Sequence, residues 1–386
     1  MSKMIFYTFV PFDESKLNRA YNVRIFYLKK AFENLGYIVY FIDGFYEDRI
    51  KKIKEIWKLI EKGEKIDFVY GELPNLPFLL TSKNRIPIIF NNYDIKFFNF
   101  LKNKKIKIGL FVRDLHHLTS ALDSLNLFKK VAYQFFLNLS INYLKNFVDI
   151  FFGPSNAFLE IFSFFYKVNK QNLIELMPGL ILNNINPNNI EYFYYENMLN
   201  LIYVGGIYDN IELFKCFQDL HINNVNNVFL YFITRLNEIK INYKYFFSIP
   251  LIKILEANKK DLIKYYQLSD ISSFLFFKSF VLKKIKGYQF FNNDYLSLAV
   301  PVKFLEYLEN LKPVITYKEA FVSKIVKEYD IGWVIDYNYL ALKELLLHLL
   351  NNKQEIINKR KNILKIVSNY SWENVAKKII DNLKYS

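Results

Sequence analysis

Two short stretches of this 386-residue sequence carry side chains able to do chemistry together. The first, LAVPVKFLEYLENLKPVIT at residues 298–316, sets Lys303 and Glu306 one helical turn apart. Pro301 suits the first position of that helix, where its missing N–H costs nothing. A lysine in the first turn opposes the helix dipole, and an anionic ligand would remove the conflict. Free N–H groups at the helix start, the ammonium of Lys303 and the carboxylate of Glu306 make a socket for a nucleotide diphosphate, Glu306 accepting from a ribose diol. The plainer account is an ordinary surface pair worth roughly 0.2–0.5 kcal/mol. The second stretch, IKIGLFVRDLHHL at 106–118, puts Arg113, Asp114, His116 and His117 directly after an apolar strand, where α/β enzymes keep reactive groups. A carboxylate or imidazole there can serve as a general base. Alternatively, Asp114 caps a helix or pairs with Arg113, and the histidines are solvated. Adjacent histidines point apart on any regular element and no third ligand matches them, so no metal site is expected.

These groups need elements to position them. MIFYTFV, YIVYFID, IDFVYG, IPIIF, IKIGLFV and VDIFFG are near-continuous apolar runs, as in a parallel sheet covered on both faces. Between them, NVRIFYLKKAFENLG and YEDRIKKIKEIWKLIEKG have helical spacing and end on Gly36 and Gly63, natural C-caps; NAFLEIFSFFYKV follows GPS, with Ser155 and Asn156 at its start. The pattern breaks at the Asn-rich LNNINPNNIEYFYYENMLN and then restarts with NLIYVGG, NVFLYFI, KYFFSIP, KKDLIKYYQLSD, ISSFLFF, PVIT, AFVSKIVKEYD and GWVID. Three helical patterns finish the chain. Strand alternating with helix predicts an α/β architecture in two domains, 1–182 and 200–368, joined by a linker at 183–199, with a terminal helix at 369–386.

Composition narrows the partners. The net charge of +15 fits nucleic acid, an anionic membrane surface or a phosphorylated substrate. The basic residues are scattered and no nucleic-acid-binding motif accompanies them, so nucleic acid is not the expected partner. A single cysteine, Cys216, excludes disulfide scaffolds and fits a reducing cytoplasm. The opening MSKMIFYTFVPFDESK has an apolar run too short for a signal peptide, and VAYQFFLNLSINYL is shorter than a bilayer span. The expected location is the cytoplasm, with peripheral attachment to the anionic inner leaflet left open.

PVKFLEYLENLKPVIT resembles the proline–lysine–glutamate–tyrosine signature of GT-B glycosyltransferases, and is similar to the glycosyltransferase 4-like enzymes that build bacterial surface polysaccharides. NLIYVGGIYDN looks like the first strand and glycine turn of their nucleotide-binding domain. LIKYYQLSDISSFLFF, SWENVAKKIIDNL, FFGPSNAF and ELMPGL match further segments in the family's order. The resemblance implies two Rossmann-like domains facing each other across a cleft, with C-terminal helices crossing back to the first domain. It implies an acceptor-binding first domain and a nucleotide-sugar-binding second one. It puts Lys303 on the diphosphate and Glu306 on the ribose, with Gly205 and Gly206 letting backbone approach the donor. Arg235 would meet the donor phosphates. In the first domain, RD resembles an acceptor-side segment; Asp114 becomes the candidate base, with His116 or His117 as orienting or alternative groups. Asp13, Arg19, Arg24 and Arg113 are acceptor-side candidates.

Two departures stand out. The glutamate that retaining members carry eight residues before the ribose-binding one is Leu298 here, and Asp294 does not match the spacing; FVPFDESKLNRAYNVR replaces the glycine-rich loop after the first strand. Retention and inversion both stay open. The implied reaction moves a sugar from a UDP- or GDP-linked donor to a polysaccharide or lipid-linked glycan, with no cofactor and no metal. A sugar-nucleotide epimerase on the same fold and a catalytically silent nucleotide-sugar-binding assembly protein are the alternatives.

Overall fold

The computed structural model describes the chain apart from residues 17–19, 90–91, 116–117, 119–121, 123–124, 183–184, 207–209, 236–245, 247, 258, 275–297, 299–301 and 386. The described residues form two compact units, 1–179 with 372–385, and 180–371.

In the first unit, strands β1 (Lys3–Thr8), β2 (Ile38–Ile42), β3 (Phe68–Glu72), β4 (Lys107–Phe111), β5 (Ile150–Gly153) and β6 (Leu173–Glu175) alternate with helices α1 (Ala20–Asn34), α2 (Tyr46–Glu61), α3 (Tyr93–Asn103), α4 (Leu127–Leu144) and α5 (Asn156–Tyr166). The strands pair in parallel in the order β2-β1-β3-β4-β5-β6. Met4, Ile5, Phe6 and Tyr7 are fully buried, as continuous apolar strands must be when helices cover both faces. Gly36 and Gly63, at φ +85° and +98°, end α1 and α2 in the left-handed region. Asn92 caps α3, accepting from the Asp94 and Ile95 N–H groups, and the Ser155 hydroxyl accepts from Phe158 N–H to start α5. Of the strand expected at IPIIF, residues 86–89 are loop and Phe90 lies outside the described residues. Pro87 lacks a donor, Ile88 N–H is taken by Leu79 and its carbonyl by the Asn92 amide. β3, the strand before it, is already flanked by β1 and β4.

The second unit holds β7 (Leu199–Val204), α6 (Ile211–Ile222), β8 (Val228–Ile233), β9 (Ile252–Leu255), α7 (Lys259–Leu268), β10 (Ile271–Ser273), α8 (Val302–Glu309), β11 (Val314–Tyr317), α9 (Val322–Glu328), β12 (Gly332–Ile335), α10 (Tyr339–Asn351) and α11 (Lys353–Ile366). Its parallel order is β12-β11-β10-β7-β8-β9. Counted from β7 this is 3-2-1-4-5-6 read backwards, the doubly wound arrangement, with its switch point between β7 and β10. Of the strand expected at KYFFSIP, residues 244, 245 and 247 lie outside the described residues, while 246 and 248–250 are turn and loop, and the strand β9 begins only at Ile252. The last helix, α12 (Trp372–Lys384), belongs to the first unit and packs on α1, β3 and β4. Gly109 makes room for it: a Cβ there would stand 2.8 Å from Leu383.

Buried charges lock the frames. In the first unit Arg49 forks onto Asp94, Nη2 to Oδ2 at 2.7 Å and Nε to Oδ1 at 3.1 Å, with both side chains fully buried. It also donates to Gly44 O and Thr81 Oγ1, so α2 is pinned to α3 with its donors spent. In the second unit Arg360 donates to Asp270 O at 3.0 Å, and Asp270 Oδ2 accepts from Asn200 N–H at 2.8 Å. Lys312 Nζ donates to Ser269 O beside them.

Burial, helped by the Arg360 charge and opposed by Asp270, pushes the Lys312 ammonium down to about 7. The folded chain therefore releases this proton near 7, and the unfolded chain only near the ordinary 10.5. Between those values the unfolded state binds more protons, so stability rises with pH through that window. Urea unfolding at pH 7 and pH 9 should show a gain of about 2 kcal/mol at most, and Lys312→Met should flatten the slope.

Asp94→Ala strips the partner from the Arg49 guanidinium. It should cost about 3–5 kcal/mol in a urea titration followed by far-ultraviolet dichroism.

Candidate functional site

The carboxyl end of the second unit's sheet is organised by α8. Phe304, Leu305, Tyr307 and Leu308 turn into the core, while Lys303 and Glu306 keep 37 % and 29 % of their side-chain surface. Tyr307 fixes the helix to the switch point. Its hydroxyl accepts from Val204 N–H at the end of β7 (2.9 Å) and donates to Ser273 O at the end of β10 (3.3 Å). Burial pushes that hydroxyl's pKa up, so it stays a neutral donor and acceptor. Because α8 leads from the β10 end of the sheet back to β11, its first turn lies at the carboxyl edge, where open α/β sheets take ligands.

Gly205 and Gly206 continue β7 on the same rim. Gly205 N–H bonds Ile233 O at 3.0 Å, and Gly206 O accepts from the Tyr203 hydroxyl at 2.8 Å. A Cβ on Gly205 would lie 2.8 Å from that Tyr203 oxygen, so the turn keeps a bare backbone next to Tyr307's anchor. Arg235 stands exposed two residues after β8, the strand beside β7. Lys303 Nζ lies 2.5 Å from Glu306 Oε2, and the buried Tyr266 hydroxyl donates to the same oxygen at 3.4 Å. The lysine rests on the glutamate, as a plain i,i+3 pair would. What spacing alone does not supply is the mounting: the pair sits one residue from a tyrosine stapled across the switch point. Pro301 and Asp294 lie outside the described residues, and Leu298 is buried.

In the first unit Arg113 and Asp114 follow β4. Arg113 Nε is 3.8 Å from Asp114 Oδ2, and its guanidinium sits 5.4 Å from the centre of the Tyr21 ring. Both line a pocket, partly open to solvent, whose far wall is apolar and built by Leu137, Ile141 and Leu144 of α4. Tyr133 and Ser140 add hydroxyls to that wall. Burial first and the Asp114 charge second push Tyr133 up to about 12. His116, His117 and Arg19 lie outside the described residues. Asp13 accepts from Ser15 N–H and its hydroxyl, forming a local turn.

Arg24, expected on the acceptor side, is only 7 % exposed. Its Nε donates to Glu72 Oε1 at 2.6 Å and its Nη2 to Tyr70 at 3.1 Å, and the guanidinium stacks 3.7 Å from the Phe111 ring centre. Its charge is answered within the unit. Glu72 ends β3 at this unit's own switch point, between β1 and β3. Sequence reading passed over it, although a carboxylate closing an apolar strand was a usable signal. Tyr307 was read only as the tyrosine of the quoted signature, on the same stripe as Lys303 and Glu306; it is buried, and its bridge between the strands was not foreseen. Among the described residues, no group of three or more His, Cys, Asp or Glu side chains gathers as a metal site would.

No protein-family model and no curated protein matches the sequence. Solved structures do. HepE of Anabaena, crystallised in complex with UDP, matches at TM-score 0.62 and 10 % identity over 100 % of each chain. A glycosyltransferase from Rickettsia africae ESF-5 matches at 0.59 and 13 %, covering 100 % of this chain and 98 % of that one. WaaG, a glycosyltransferase involved in lipopolysaccharide biosynthesis, matches at 0.55 and 12 % over 100 % of each chain. At such identities the likeness establishes the fold. The chain has the GT-B fold of two Rossmann-like α/β domains, as its sequence led us to expect.

Tyr307→Phe removes the bridge and leaves Val204 N–H buried without its partner. It should cost about 1–3 kcal/mol in urea unfolding, more than an exposed Tyr→Phe change.

Proposed function

We propose that this chain is a glycosyltransferase that takes its sugar from a nucleotide-diphosphate donor held on the second unit, and delivers it to a glycan or lipid-linked acceptor bound on the first. One observation carries the reading: Tyr307 mounts Lys303 and Glu306 at the β7–β10 switch point, beside the bare backbone of Gly205 and Gly206. On binding, Lys303 swings from Glu306 to the diphosphate, and the freed carboxylate accepts from the ribose hydroxyls. The ammonium and the α8 N–H groups then stabilise negative charge as it gathers on the departing diphosphate. The chain's residues supply this charge themselves, so the reading includes no metal. UDP is the first nucleotide to test, because HepE shares the fold and was crystallised with it. Asp114 serves as the acceptor-side base, taking the hydroxyl proton as the new bond forms. The product class we favour is cell-surface polysaccharide, in keeping with WaaG's role in lipopolysaccharide biosynthesis.

A thermal-shift panel of nucleotide diphosphates and their sugars should single out one base. With the matching sugar donor, Lys303→Ala should lower turnover about a hundredfold. Unchanged turnover would sink the donor-site assignment. Asp114→Asn should lower kcat by about 10²–10⁴ while leaving donor KM near the parent value. Mass analysis of products from donor without acceptor should show no interconverted sugar nucleotide.

A further inference from the structure

The amino edge of the second unit's sheet buries more positive charge than it answers. Asn200 is the second residue of β7, Asp270 stands just before β10, and Lys312 lies two residues before β11. Arg360 reaches this edge from α11. Arg360, Asn200, Asp270 and Lys312 are 0 %, 1 %, 1 % and 5 % exposed. Arg360 Nη1 donates to the carbonyls of Asn189, Ile190 and Tyr192, and Nη2 to Asp270 O. Its Nε–H is buried and meets no acceptor, and neither does the side-chain nitrogen of Asn200. Lys312 donates to Ser269 O and, among the described residues, forms no ion pair. Asp270 is the carboxylate whose charge acts on both cations. Its Oδ2 is taken by Asn200 N–H at 2.8 Å, and its Oδ1 stands 3.8 Å from Arg360 Nη2. Two buried cations therefore share one carboxylate.

Surplus charge and spare donors call for the same remedy. A buried N–H without an acceptor is costly, and so is a buried cation without a counter-charge. The Lys312 ammonium already shows the strain, its pKa pushed down to about 7 by burial and by Arg360. Water could accept from these N–H groups, but it must place two hydrogens of its own and it brings no charge. An anion only accepts, and it cancels the surplus. The burial of all four residues sets its size: a halide suits so enclosed a place, and a hydrated phosphate does not. We propose that a small monovalent anion of chloride size binds at this edge, held by Arg360 Nε–H, the Asn200 amide and the Lys312 ammonium. Bound there, it ties α11 to the starts of β7 and β11. Through Arg360 it also steadies residues 189–192, which lead towards β7. Gly205 and Ser273 lie at the other end of the same strands, so the proposal does not draw on the transferase reading.

The test uses the full chain in urea unfolding at pH 6.5, with sodium chloride exchanged stepwise for sodium gluconate at constant ionic strength. Replacing gluconate by chloride up to about 1 M should raise the folding equilibrium constant about tenfold. At pH 9 Lys312 has shed its proton, and the chloride effect should shrink. Asp270, Arg360, Lys353 and Tyr231 are the other titratable groups of this neighbourhood. Asn200→Leu removes an amide nitrogen that has no protein partner, so the variant should fold and lose most of the chloride effect. Lys312→Met should lose it as well. Equal stability of the parent in chloride and gluconate overturns the proposal. So does a full chloride effect in both variants, which would put the ion elsewhere. Should neither variant fold, crystals of the parent grown in bromide decide: an anomalous peak beside Arg360 Nε supports the site, and a water or no peak there sinks it.

Discussion

One phenolic oxygen organises the second unit's working rim. A doubly wound sheet opens a crevice where neighbouring strands send their connections to opposite faces, and there β7 and β10 stop pairing with each other after Ile202 and Ser272. Tyr307 satisfies one of each, an N–H and a carbonyl, from a helix that belongs to neither strand. The same contact fixes where α8 begins and which of its sides faces outward. Lys303 and Glu306 owe their place to it, because the inward residues Phe304, Leu305 and Leu308 fix how far in the helix sits, while only the hydroxyl fixes its register against the strand ends.

Much of this was legible from the residues. Unbroken apolar strands spaced by helical patterns ending in Gly36 and Gly63 can only be wound as a parallel sheet. The break at residues 183–199 separates two rounds of that pattern. The misreadings have local causes. IPIIF has strand composition, but its neighbours and its proline leave it no ladder to join. Arg24 looked like a reagent because charge in a sequence carries no depth; its partner Glu72 is 48 residues away, beyond any local pattern. Lys303 and Glu306 were visible by spacing, whereas the role of Tyr307 was hidden because aromatics make up 19 % of this chain. Its role comes from the oxygen at its tip and from partners 34 and 103 residues away.

Charge is spent in two styles. Arg49, Asp94, Arg24 and Glu72 are interior groups with matched partners, and they hold elements together by donors and acceptors that water cannot reach. The lysines that make the chain basic lie mainly outside, screened and free to meet anions. Lys303 stands between these styles. It is close enough to a carboxylate to be held, and exposed enough to let go. On the transferase reading proposed above, that half-exposure suits a residue that exchanges one partner for another at each turnover.

The first unit is completed by a helix that follows the second unit in the chain. Trp372 packs against Gly179, and Leu383 fills the hollow over Gly109, so α12 forms part of the floor beneath β4. During translation, roughly two hundred residues of the other unit emerge between the first unit's sheet and the helix that seals it. Until Trp372–Lys384 have emerged, the first unit waits on the ribosome with an open apolar seam. A nascent chain truncated anywhere before Trp372 would carry that seam bare, a ready target for chaperones and proteases.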